Sequence, residues 1–124
     1  MAHFAEIDEN NVVVRVLVVP DEQEDRGQDF LANDLGLGGV WKKTSYNTAS
    51  GAHALGGTPY RYNYAGVGFT YDVEGDAFVA PQPFASWKLS KVTYTWLPPK
   101  PMPNDGNPYF WNEEITDWEI NENV

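Results

Sequence analysis

The chain has 124 residues, 42% hydrophobic and 21% charged, which fits one globular domain and is too short for two independent cores. Eighteen acidic residues against eight Lys and Arg give a formal charge of -10, which excludes a nucleic-acid partner, since such partners need clustered basic side chains. Cysteine is absent, which removes disulfides, thiolate metal sites and thiol nucleophiles together.

The first residues show no basic stretch followed by an apolar one, so no signal peptide is expected. The longest apolar run, residues 12–19, is too short to span a bilayer, so no membrane partner is expected. That run holds six valines in eight positions, a strong strand signal because β-branched side chains suit a pleated surface. Residues 4–8 alternate, and Asp8-Glu9-Asn10-Asn11 supplies turn chemistry, so the opening predicts a β-hairpin. Arg15 within the run suggests that one face meets solvent, and Pro20 ends the strand.

Phe30, Leu31 and Leu35 predict one short amphipathic helix, stopped by Gly36, Gly38 and Gly39. Residues 40–46 read as a further strand. Residues 47–59 are rich in Gly, Ala, Ser, Thr and Asn and read as a long loop.

The last third repeats one pattern three times: an aromatic, a polar turn, a second aromatic. The copies run from Tyr71 to Phe78, from Trp87 to Trp96 and from Trp111 to Trp118, and four of the five tryptophans lie in them. Each copy has hairpin character, and opposed aromatics contribute roughly 0.2–1 kcal/mol over alanine. Pro81-Gln82-Pro83 and Pro98-Pro99-Lys100-Pro101-Met102-Pro103 join the copies and favour extended, semi-rigid geometry. The expected fold is therefore mainly β with one short α-helix (α+β): an N-terminal hairpin and helix, then aromatic hairpins on proline-rich connectors. Residues 1–79 would form the compact α+β domain and residues 80–124 a proline- and tryptophan-rich arm.

Little in the chain points to catalysis. His3 and His53 stand at no metal-ligand spacing, and no serine lies in a nucleophile elbow. Gly66-Val67-Gly68 leads into Phe69-Thr70-Tyr71 and not into a helix, so close backbone approach explains it better than a phosphate cradle. Asp72, Glu74 and Asp76 loosely resemble a calcium loop but lack flanking helices and a closing glutamate. No catalytic, cofactor-binding or metal residue is assigned, and no enzyme is expected. The interaction candidates are Trp87, Trp96, Trp111, Trp118, Tyr64, Tyr71 and Phe84, because aromatic rings dominate contact surfaces. The same rings could equally form the small cores of their own hairpins.

With these residues in view, the chain resembles a family of small proteins from short-tailed and contractile-tailed phages of marine cyanobacteria. The resemblance rests on Met1-Ala2-His3-Phe4-Ala5-Glu6-Ile7-Asp8, Asn11-Val12-Val13, Trp41-Lys42-Lys43-Thr44-Ser45-Tyr46-Asn47 and residues 61–72. It continues through residues 78–87, Pro101-Met102-Pro103 and Trp111-Asn112-Glu113-Glu114, nearly the whole chain. The last third is also loosely similar to phage tail-fibre assembly proteins. The resemblance implies a virion or virion-associated structural protein, made in the host cytoplasm, with capsid or tail proteins as partners and a homo-oligomer as one option. A capsid decoration or accessory protein docking through the aromatic arm is the leading expectation. A tail or tail-fibre accessory, a fibre-assembly chaperone and a host-glycan-binding module are the alternatives.

Overall fold

A computed structural model of the chain describes residues 1–122. The fold is mainly β with one short helical segment, and it divides into two compact units. The first unit is Met1–Pro81 with Lys91–Thr95; the second is Gln82–Ser90 with Trp96–Val124.

The first unit is built on an antiparallel sheet of order β2-β1-β3, comprising β1 (Ala2–Ile7), β2 (Val13–Val19) and β3 (Val40–Thr44). The β1–β2 turn is set by Asp8, whose Oδ1 accepts the N–H groups of Asn10 at 2.8 Å and Val12 at 3.0 Å. Asn11 takes the left-handed conformation there (φ 64°), which Asn tolerates better than most residues.

Strand alternation sends β1 side chains to two different cores. Ala2 and Phe4 pair with Val19 and Leu17 and pack with Leu31 and Trp41. Ala5 and Ile7 pair with Val16 and Val13 and pack with Ala65, Tyr71 and Phe78. Both faces of the sheet thus carry core, though solvent still reaches exposed Val18 and the side chain of Arg15, which is 42% exposed. Its Nε donates to Glu6 Oε1 at 2.6 Å and its guanidinium lies 5.1 Å from the Trp41 ring centre.

The helical segment begins earlier than the apolar pattern predicts. It runs as a 3-10 helix (Asp21–Arg26), one α-turn (Gly27–Asp29) and a π-turn (Phe30–Asp34). Such a winding has no single period, which is why a 3.6-residue pattern finds only its end. Arg26 ties it together by donating to Gln23 at 2.6 Å, Asp29 at 2.7 Å and Asp34 at 2.8 Å. Leu31 is its buried anchor. Gln28 fastens it to β3, accepting the Trp41 N–H at 2.5 Å and donating to Gly39 O at 3.0 Å.

The expected loop at 47–59 contains a small ribbon of β4 (Thr48–Ala49) and β5 (Ala52–His53). The first aromatic hairpin forms as β6 (Thr70–Asp72) and β7 (Ala77–Val79), with Tyr71 opposite Phe78. It joins the sheet through a Val12–Thr70 bridge, with Val13 N–H donating to Phe69 O at 2.8 Å and Gly68 N–H to Val13 O at 2.9 Å. Gly68 makes this bond from φ 91°, and since a Cβ there would meet nothing within 4 Å, it is this backbone conformation and not the expected close approach that calls for glycine.

The second unit holds two ribbons, β8 (Lys88–Leu89) with β9 (Trp96–Leu97), and β10 (Tyr109–Asn112) with β11 (Asp117–Ile120). In the latter, Trp111 stands directly opposite Trp118, as the repeat predicts. In the former, Leu89 faces Trp96 and Lys88 faces Leu97, so Trp87 lies before the paired residues and is not opposed to Trp96. With only two residue pairs, that ribbon offers too little alternation to fix a register from sequence.

Candidate functional site

The structure gathers four of the aromatic candidates into one cluster in the second unit. The β10–β11 pairing brings the Trp111 and Trp118 rings to 5.2 Å, nearly perpendicular at 77°. Trp87 stands 5.9 Å from Trp111 and 6.2 Å from Trp118, and Phe84 lies 5.6 Å from Trp87. Edge-to-face and tilted contacts of this kind suit the ring quadrupoles and contribute about 0.5–1.5 kcal/mol per pair beyond burial.

Glu113 organises the polar side of the cluster. Its carboxylate accepts Ser86 Oγ at 2.6 Å, Ser86 N–H at 3.0 Å and Trp111 Nε1 at 2.8 Å. The Ser86 hydroxyl first, then the Trp111 N–H, hold its carboxyl below the usual glutamate range. On the next strand Trp118 Nε1 donates to Lys100 O at 2.8 Å, and Lys100 Nζ lies 3.3 Å from Asp117 Oδ2. Trp87 Nε1 is buried without a hydrogen-bond partner.

The remaining candidates lie elsewhere. Trp96 is half-buried on β9. Tyr64, in the first unit, meets His3 at 5.6 Å and Tyr46 at 5.4 Å, and burial raises its phenol above the usual tyrosine range. Tyr71 is buried in the sheet core, and its hydroxyl donates to Asp76 at 2.5 Å. Burial first, then that bond, raises its phenol likewise.

Burial sorts the rings by role. Trp111 is 7% exposed and is the only buried residue of the second unit among those described. Phe84, Trp87, Trp96 and Trp118 are half-buried. Within the second unit the exposed apolar side chains lie outside the tryptophan pattern, on Leu97, Met102, Phe110, Ile115 and Ile120, while the first unit exposes Leu55, Val67, Val73 and Val92 still more fully. Strand alternation was the available signal for Phe110, which follows Tyr109 and precedes Trp111 and so points to the opposite face from both.

Candidate ligands for small molecules are engaged otherwise. His53 Nδ1 accepts the N–H groups of Leu55 at 3.1 Å and Gly57 at 3.0 Å, shaping its own turn. Asp72 accepts the Gly75 N–H at 3.1 Å, and Asp76 is held by Tyr71 and Arg61. Among the described residues no group of three His, Asp or Glu side chains is placed to hold a metal ion. A cleft of about 320 Å³ in the first unit is lined by His3, Lys43, Tyr46, His53 and Tyr60. Within it Lys43 Nζ is already 3.4 Å from Glu24 and 3.2 Å from the Tyr60 hydroxyl.

Comparison of the chain with known protein families, with curated proteins and with solved structures finds no match.

Proposed function

We propose that the chain is a non-enzymatic structural protein of a phage virion, a capsid decoration or accessory subunit that docks on neighbouring subunits through its second unit. One observation carries this reading. Among the described residues of the second unit only Trp111 is buried, while Leu97, Met102, Phe110, Ile115 and Ile120 stay exposed. Two-stranded ribbons with so little core are marginal in water and gain stability when another surface covers them. The aromatic cluster stiffens the unit before docking, which lowers the ordering cost of association. The resemblance to small proteins of tailed phages supplies the setting, and the acidic surface keeps the unassembled subunit soluble.

Mass spectrometry of purified particles tests it. The protein should be present in stoichiometric amounts in intact virions. Abundance in infected cells with absence from particles would instead favour a fibre-assembly chaperone.

A further inference from the structure

The two outer edges of the three-stranded sheet are treated differently. On β3, the Trp41 N–H donates to Gln28 Oε1 at 2.5 Å, and Lys43 O accepts from Arg61 Nη1 at 2.8 Å. Lys42 and Lys43 add charge there, a common guard against edge pairing. On β2, the residues before and at Val13 are covered by residues 68–71 of the same chain. Beyond Val13, no backbone hydrogen bond among the described residues reaches the outer edge. That open stretch reads Val14-Arg15-Val16-Leu17-Val18-Val19 and contains no acid in a chain of formal charge -10. Val14 and Val18 are exposed, at 45% and 47%.

We propose that β2 pairs antiparallel with β2 of a second copy of this chain, about a two-fold axis at Leu17. The result is one continuous sheet of order β3-β1-β2-β2-β1-β3. The ends of the open stretch set the register. At one end Val13 is committed to Phe69, and at the other Pro20 has no N–H to donate. Centring on Leu17 places Arg15 opposite the partner's Val19 and Val16 opposite the partner's Val18, leaving both ends undisturbed. Centring on Val16 would drive the partner's Val19 against the edge that Phe69 already fills. The self-pairing is also electrostatically permissible. Arg15 is the only charge on the edge, it is paired with Glu6 at 2.6 Å, and the two copies of Arg15 stand about 13 Å apart along the ribbon. A second copy is favoured over a foreign strand because this apolar stretch is complementary to itself, while the remaining surface is acidic and repels its like.

The absence of cysteine makes the register directly testable. Sedimentation of the unmodified protein at high micromolar concentration should give twice 13.9 kDa. Under mild oxidation Leu17→Cys should form a disulfide-linked dimer, whereas Val67→Cys, at a position 72% exposed in the same unit, should not. Val18→Lys should return the mass to a single chain without changing the circular dichroism spectrum. A monomeric mass for the unmodified protein would overturn the proposal, whatever the variants do. So would equal cross-linking at positions 17 and 67, or a dimer that survives Val18→Lys. The proposal is independent of the virion reading, since it concerns the isolated protein in solution.

Discussion

Asn63 holds the backbone of Tyr94, 31 positions away, through a hydrogen bond from Nδ2 to the Tyr94 carbonyl at 3.0 Å. The same amide donates to Phe78 O at 2.9 Å, and its Oδ1 accepts the Ser50 N–H at 2.8 Å. One side chain thus joins the β4–β5 turn, the end of β7 and the Lys91–Thr95 segment of the first unit. Asn63→Ala should destabilise that unit by about 2–4 kcal/mol, since it strips two part-buried carbonyls of their partner at about 1–3 kcal/mol each when unsatisfied. Urea unfolding measures this. A change within experimental error would show that these carbonyls are satisfied without Asn63.

Gly27 allows the helical segment to lie directly on Phe4. A Cβ added at Gly27 would overlap the tip of the Phe4 ring, which is 6% exposed and held in the core with Leu31 and Trp41. Gly27→Ala should therefore cost about 1–3 kcal/mol by overpacking, although alanine is the better helix former. Combining it with Phe4→Leu should cost less than the two single changes added together, because the smaller side chain yields the space. Strict additivity in thermal or denaturant unfolding would refute the contact.

The Tyr71–Asp76 bond links two titrations of opposite sense. The Asp76 carboxyl is held below its usual range, by the Tyr71 hydroxyl first and by Arg61 next. A depressed folded-state value contributes stability that is present above the unfolded value, about 3.9, and is lost as pH falls through the folded one. The Tyr71 phenol is raised by burial first, then by Asp76. Its contribution is present below about pH 10 and is lost as pH rises through the higher folded value. Asp76→Asn should flatten the stability profile on the acid side below about pH 4. The absorbance titration of Tyr71 should keep most of its upward shift in that variant, because burial is the larger cause.

Trp111 and Phe110 are neighbours in sequence with opposite expected phenotypes. Trp111 is 7% exposed and Phe110 is 44% exposed. Trp111→Ala should cost about 3–5 kcal/mol in stability of the second unit. Phe110→Ser should leave stability within about 0.5 kcal/mol, as expected for a surface change. Under the proposed docking role, Phe110→Ser should nevertheless lower the amount of protein recovered with purified particles. Equal recovery of Phe110→Ser and the unmodified protein would remove Phe110 from the docking surface.

Where side-chain alternation was long enough, the sequence was sufficient to draw the fold. The β1–β2 hairpin follows from the valine run and Asp8, and the β6–β7 and β10–β11 ribbons follow from paired aromatics with polar tips. Four features were hidden for physical reasons. The segment from Asp21 is acidic and polar because its helical turns are held by Arg26 and not by an apolar stripe. The β4–β5 ribbon depends on Asn63, distant in sequence, and on Gly51 at φ 82°. Phe110 lies on the face opposite Trp111 and belongs to no repeat, so no local pattern marks it. The gathering of Phe84, Trp87, Trp111 and Trp118 is tertiary, since Glu113 draws Ser86 across 27 positions and no local pattern encodes that.

The alternation of β1 between two cores has a bearing on how the first unit comes apart. Ala2 and Phe4 belong to one layer and Ala5 and Ile7 to the other, so neither layer can loosen while the strand between them keeps its register. The two layers share a single backbone and must melt together. The amides of β1 should therefore exchange with solvent only through global opening of the unit, and a defect planted in one layer will be felt by probes placed in the other.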